Sequence, residues 1–126
     1  MYRIIIPGKF PSLNEWIAAN RVRKGSWSKG NDMKQKSQAA IMPYIKKEIK
    51  KPLGTIHLCY HFYEESTRRD CDNVSSYFIK VFQDSLVKTG LLPDDNQKFI
   101  WAFEVVFHVD KLNPRIEVEI SEVITK

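Results

Sequence analysis

Cysteine is nearly absent: the 126 residues contain two, Cys59 and Cys71. Two are too few for a disulfide framework, and they lack the paired spacing of a zinc knuckle, so both are expected to be free thiols. Long apolar runs are missing too. None approaches the roughly 18 residues that a bilayer-spanning helix requires, and the stretch from Tyr2 to Phe10 lacks the basic-then-apolar layout of a signal peptide. A soluble, cytoplasmic chain with no membrane partner is expected. No repeat and no linker-like segment is visible. With 43% hydrophobic and 12% aromatic residues, the chain is far from the apolar-poor composition that stays disordered. One core is sustainable at this length and a second independent one is not, so residues 1–126 are expected to form a single domain.

What the sequence does have is charge, unevenly placed. The net charge is +5, but residues 1–51 hold 12 basic residues and only three acids (Glu15, Asp32, Glu48), while residues 52–126 hold eight basic and 12 acidic ones. A basic half fits a polyanion, because neutralising phosphates releases their condensed counterions. Lys46, Lys47, Lys50 and Lys51 serve a helix C-terminus as readily as a ligand. The segment holding Arg21, Arg23, Lys24, Trp27 and Lys29 is more specific. Cations around a Trp in a Gly/Ser loop can hold phosphates while offering a stacking surface.

The hydrophobic pattern predicts a β-α-β-α-β-β order, an α/β or α+β domain with a small mixed sheet covered by helices. Tyr2 to Ile6 is a short strand stopped by Pro7-Gly8, followed by a short helix from Leu13 to Ala19 and a basic loop from Asn20 to Gly30. Asp32 is placed as the N-cap of a helix running toward Lys51, with Pro43 expected to kink or split it. From Thr55 to Tyr63, Ile56, Leu58, Tyr60 and Phe62 alternate with His57, Cys59, His61 and Tyr63, a strand with two unlike faces. Asn73 to Lys88 has helical period and Gly90 supplies its stop. Two further strands alternate through Phe99 to His108 and through Ile116 to Ile120. Periodicity does not say whether the aromatic strand packs a core or faces a partner.

The stretch Arg68-Arg69-Asp70-Cys71-Asp72-Asn73 carries the most chemistry. On an extended segment Asp70 and Asp72 share a side, roughly 6.5 to 7 Å apart, and can share a hard divalent cation. The same residues also suit helix capping, since Asp72 or Asn73 stands where a cap would. A second pair, Asp94-Asp95, can complete a three-carboxylate cluster if the intervening helix returns the chain beside the first. On that helix Asn73, Ser76, Lys80 and Asp84 form a polar stripe, while Val74, Phe78, Val81 and Ser85 turn toward the core. His57, Cys59 and His61 lie on one strand face without a fourth ligand in view, which favours a half-exposed face over zinc.

In order along the chain come Arg68, Arg69, Asp70, Asp72 and Asn73, a helix with Lys80, Asp84, Leu86 and Gly90, and then Asp94, Asp95 and Gln97 before an aromatic strand. This order resembles the RusA family of Holliday junction resolvases. The opening Ile-Pro-Gly-x-x-Pro-Ser-x-Asn, ending at Asn14, fits the same family. The resemblance implies a homodimeric, Mg²⁺-dependent endonuclease that makes paired nicks in four-way junction DNA, with no small-molecule cofactor. Asp70, Asp72 and Asp95 would be its metal-binding catalytic carboxylates. The family's helical lysine falls at Ser76, and Lys80 stands one turn later as the candidate catalytic lysine. Asn14, Arg68, Arg69, Asn73 and Ser76 join the basic loop as candidate DNA contacts. The alternatives are a non-catalytic basic DNA-binding module, or a nuclease for other branched DNA.

Overall fold

Strand alternation sets the sheet in a computed structural model that describes residues 1–123. In chain order the elements are β1 (Tyr2–Pro7), α1 (Leu13–Asn20), β2 (Arg23–Lys24), β3 (Trp27–Ser28), α2 (Lys29–Glu48), β4 (Ile56–Glu64), α3 (Cys71–Lys88), β5 (Ile100–Val109) and β6 (Arg115–Glu122). Four strands form a mixed sheet in the order β1-β6-β4-β5. β6 pairs antiparallel with β1 and β4, and β5 runs parallel to β4. A parallel neighbour cannot be reached by a tight turn, so α3 serves as the crossover between β4 and β5. The α+β class agrees with the sequence pattern, and so does the order of the four sheet strands and the helices between them; the β2-β3 hairpin is additional.

One face of the sheet is the core. Ile56, Leu58, Tyr60 and Phe62 of β4 are buried beside Ile4 and Ile6 of β1 and Ile116, Val118 and Ile120 of β6. The helices cover this face with Ile41 and Ile45 of α2 and Val74, Phe78, Val81 and Phe82 of α3. Phe78 sits at the centre. Its ring meets Phe10 at 5.1 Å, Phe62 at 5.8 Å and Tyr60 at 6.3 Å edge-on, and stacks on Phe82 at 5.7 Å. The opposite face is half-exposed, as expected for His57, Cys59, His61 and Tyr63. There His61 lies 2.9 Å from His108 and 2.7 Å from Glu119. Burial, with Glu104 and Glu119 nearby, pushes the free Cys59 thiol up to about 11.

Several boundaries differ from the sequence expectation, each for a local reason. The basic loop contains the β2-β3 hairpin, turned by Gly25 at φ +60, a conformation that glycine adopts without strain. Ser28, not Asp32, caps α2: its side chain accepts from the Asn31 amide, and the helix starts at Lys29. Pro43 does not split α2, which is continuous to Glu48. Pro43 and Ala39 are both exposed, so the carbonyl that loses its partner is turned toward water. α3 begins at Cys71, two residues before Asn73, and ends where expected at Lys88, with Gly90 at φ +82 just beyond it. β5 is an edge strand whose Trp101, Phe103 and Val109 are 54%, 50% and 55% exposed.

Phe78→Ala removes the ring on which this packing converges and is expected to cost about 3–5 kcal/mol. The shift in the urea unfolding midpoint measures it.

Candidate active site

The segment between β4 and α3 is built by one ion pair. Arg69 donates to both oxygens of Glu64, Nε to Oε1 at 2.8 Å and Nη2 to Oε2 at 2.9 Å, a bidentate geometry that fixes orientation as well as charge. This pinch closes residues 64–69 and delivers the chain into α3 at Asp70. Arg69, expected at the DNA, is thus engaged in holding the loop. Arg68 beside it is exposed and shares a groove with Lys111.

Asp70 is the N-cap residue of α3, with φ −66° and ψ 140°, yet its side chain makes no capping hydrogen bond. Asp72 lies in the first turn, where the helix N-terminus favours negative charge. Both are exposed. Because the helix has already begun at Cys71, the two aspartates straddle its start instead of lining one extended segment. Asn73 docks a neighbouring element: its Oδ1 accepts from the Asn14 backbone amide at 2.9 Å, tying α1 to the first turn of α3. Ser76 follows, half-buried, on the same stripe.

A second charged group lies farther along the helix. Lys80 Nζ is 3.2 Å from Asp84 Oδ1 and 3.5 Å from Asp95 Oδ2. Lys34, reaching over from α2, pairs with the other oxygen of Asp84. Asp94 shapes the turn: its Oδ1 accepts from the Asp95 amide at 2.7 Å and its Oδ2 from the Asn96 side chain at 3.1 Å, leaving Asp95 to face the helix. Lys80 and Asp95 are therefore together. Asp72 lies eight residues before Lys80, about 12 Å along the axis, so Asp95 meets α3 near its middle and not at its start. Among the described residues, no group of three or more His, Cys, Asp or Glu side chains is placed to hold a metal ion.

These contacts divide the protons unequally. Burial raises Asp84, but hydrogen bonds from Lys34, Asp95 and Lys80 outweigh it and hold Asp84 below the usual carboxylate range. Burial and the adjacent Asp84 push Asp95 up, against the pull of Lys80. The hydrogen bond to Asp84 holds Lys80 above its ordinary value despite burial. A proton entering the pair is thus taken up by Asp95 first.

The basic segment forms a separate surface, with Arg21, Arg23, Lys24, Trp27 and Lys29 all exposed on and around the β2-β3 hairpin. Sequence reasoning missed Lys34 and Glu64. Lys34 is 50 positions from its partner Asp84, and no local pattern announces such a pair. Glu64 ends a strand beside a second acid, Glu65, with nothing to single it out.

Residues 17–121 match the family model described as endodeoxyribonuclease RusA. The match spans most of the chain, and the protein belongs to the RusA endodeoxyribonuclease family. No individual curated protein matched significantly. Among the described residues no helix is long and apolar enough to cross a membrane.

Two measurements test the charge arrangement. Asp84→Asn removes a cause of the upward shift of Asp95, so the Asp95 carboxyl should titrate at lower pH in a carbon-detected NMR titration. In the wild-type protein, Asp84 with its lowered folded value adds stability that is complete above the ordinary pKa of 3.8 and is lost as the pH falls through the folded value. Asp95, raised, works in the opposite sense and costs stability as the pH rises past 3.8. Asp95→Asn should therefore gain relative stability from pH 4 upward in thermal unfolding.

Proposed function

We propose that the protein is a Mg²⁺-dependent, structure-selective endonuclease that resolves four-way DNA junctions by paired symmetric nicks, acting in recombination and repair in the cytoplasm. The observation that carries this reading is Asp70, which occupies the N-cap position of α3 without capping it. Its carboxylate is left for other work beside that of Asp72. The donor set suits the ion: Mg²⁺ takes hard oxygen ligands and is commonly held by one or two carboxylates, with water and substrate phosphate completing the shell. Asp70 and Asp72 would hold it without a closed protein cage. Bound there, Mg²⁺ supplies activation of water and neutralisation of phosphate and leaving-group charge.

The chain's own residues do the rest. Lys80, oriented by Asp84 and Asp95, supplies a fixed positive charge for the phosphate as negative charge develops on it. Asp95 is the third carboxylate of this reading and acts from the Lys80 side. Arg21, Arg23, Lys24 and Lys29 hold backbone phosphates, Trp27 offers a stacking surface, and Asn14, Arg68, Asn73 and Ser76 border the approach to the carboxylates. Two symmetric cuts need two sites, and a two-fold homodimer provides them. The free edge of β5 from Trp101 to Val106 supports this, with Trp101, Phe103 and Val106 exposed, since an exposed apolar edge strand is a template for pairing with another chain.

Asp70→Asn or Asp72→Asn should lower Mg²⁺-dependent cleavage of a synthetic four-way junction by about 100-fold or more while leaving junction binding in place. Wild-type cleavage by Asp70→Asn sinks the assignment. Salt-sensitive binding that is indifferent to Mg²⁺ and cuts nothing points to a binding module, and equal cutting of flaps points to a broader nuclease. Val106→Lys, at an exposed position of β5, should convert a sedimenting dimer to monomer and abolish the pairing of the two nicks.

A further inference from the structure

We propose that the cavity beside the Asp70-Asp72 step is a subsite for one unpaired nucleobase of the DNA, with the flanking phosphate held on the adjoining basic groove. The inference rests on the nuclease reading above and adds the substrate feature that the site engages. The cavity has a volume of about 190 Å³ and is walled by Cys71, Val74, Phe107 and Val109, with Ser66 and Thr67 beside them. That is below the roughly 300–1,000 Å³ of sites that take drug-sized ligands, and it suits a single ring system.

Three features select a base over other small apolar groups. Phe107 is exposed, and its ring is held in place by stacking on Phe62 at 5.7 Å. A held ring is a ready platform for a base face, a contact every base can make. The wall carries no unbalanced carboxylate, because Glu64 is paired by both its oxygens with Arg69. A neutral heterocycle therefore enters without stranding a charge. Finally, a groove lined by Arg68, Lys111 and Glu65 shares Ser66 with the cavity; Glu65 is paired with Lys9 at 3.0 Å, so cations outnumber acids where the phosphate next to an inserted base would run.

Position supplies the link to cleavage. Cys71 lies between Asp70 and Asp72 in sequence and lines the cavity, so an inserted base sets its own nucleotide beside the proposed cation. Extruding a base from linear duplex costs a few kcal/mol, and the cost falls where pairing is already broken. A branch point offers such bases. The cavity thereby gives a physical reason for cutting at branches and sparing duplex.

The test uses a synthetic four-way junction, intact or with an abasic site at the branch point, bound in EDTA and read by fluorescence anisotropy. Thr67→Trp fills the mouth from an exposed loop position, and Phe107→Leu keeps apolar volume but removes the ring. Each variant on the intact junction, and the abasic junction with wild-type protein, should bind about tenfold more weakly. Combining variant and abasic site should add no further loss, and linear duplex binding should be unchanged. Additive losses, or wild-type affinity in both variants, overturn the subsite. Wild-type protein that shows the abasic effect but cuts nothing in Mg²⁺ defeats the nuclease reading and leaves the subsite standing. Cutting without any abasic effect does the reverse.

Discussion

The seating of α3 on β4 is the contact from which the rest of the molecule follows. Phe78 and Phe82 meet the rings of Tyr60 and Phe62 within 5.7 to 6.4 Å of one another, and Gln83 donates to the Tyr60 hydroxyl at 3.2 Å. Helices of this length owe most of their stability in water to tertiary packing. Burying Val74, Phe78, Val81 and Ser85 fixes the rotation of α3. That rotation alone turns Asn73, Ser76, Lys80 and Asp84 outward, since the two sets sit about 125° apart around the helix.

The crossover topology then separates the acidic residues. The connection through α3 leaves the end of β4 at Glu64 and returns the chain to the start of β5 at Ile100, so Asp70 and Asp95 belong to its opposite ends. The turn shaped by Asp94 folds back far enough to bring Asp95 to Lys80 but not to the helix start. Electrostatics favours this arrangement, because carboxylates crowded together without a cation repel and one must protonate. Asp95 next to Asp84 already shows that tendency, and two lysines are needed to hold the pair. The extra helical turn between Asn73 and Lys80 matters for the same reason. Four residues preserve the face of a helix but move a side chain about 6 Å along it.

Where the sequence was misread or left two readings open, a nonlocal partner or solvent had settled the matter. Ser28 and Asp32 are both good caps on paper, and the β2-β3 hairpin decides between them by stopping the extended chain at Ser28. Pro43 is tolerated because its side of α2 faces water. Capping seemed an adequate role for the acids at the start of α3, yet Asp70 occupies the cap position and leaves its side chain unused. β5 alternates as cleanly as β4 does, but it has a neighbour on one side only, so its aromatic residues remain half-exposed.

The sequence by itself determined the order of the main strands and helices, the two faces of β4, the polar and buried stripes of α3 and the family, because each is written in residue type at a fixed period or spacing. Tertiary structure alone decided which acids meet which lysines, that Arg69 closes a loop with Glu64, that β5 is an open edge and that a neutral cavity adjoins Asp70 and Asp72. Those features depend on distances between residues far apart in the chain. Such distances are set by how helices seat on the sheet, and no local pattern encodes them.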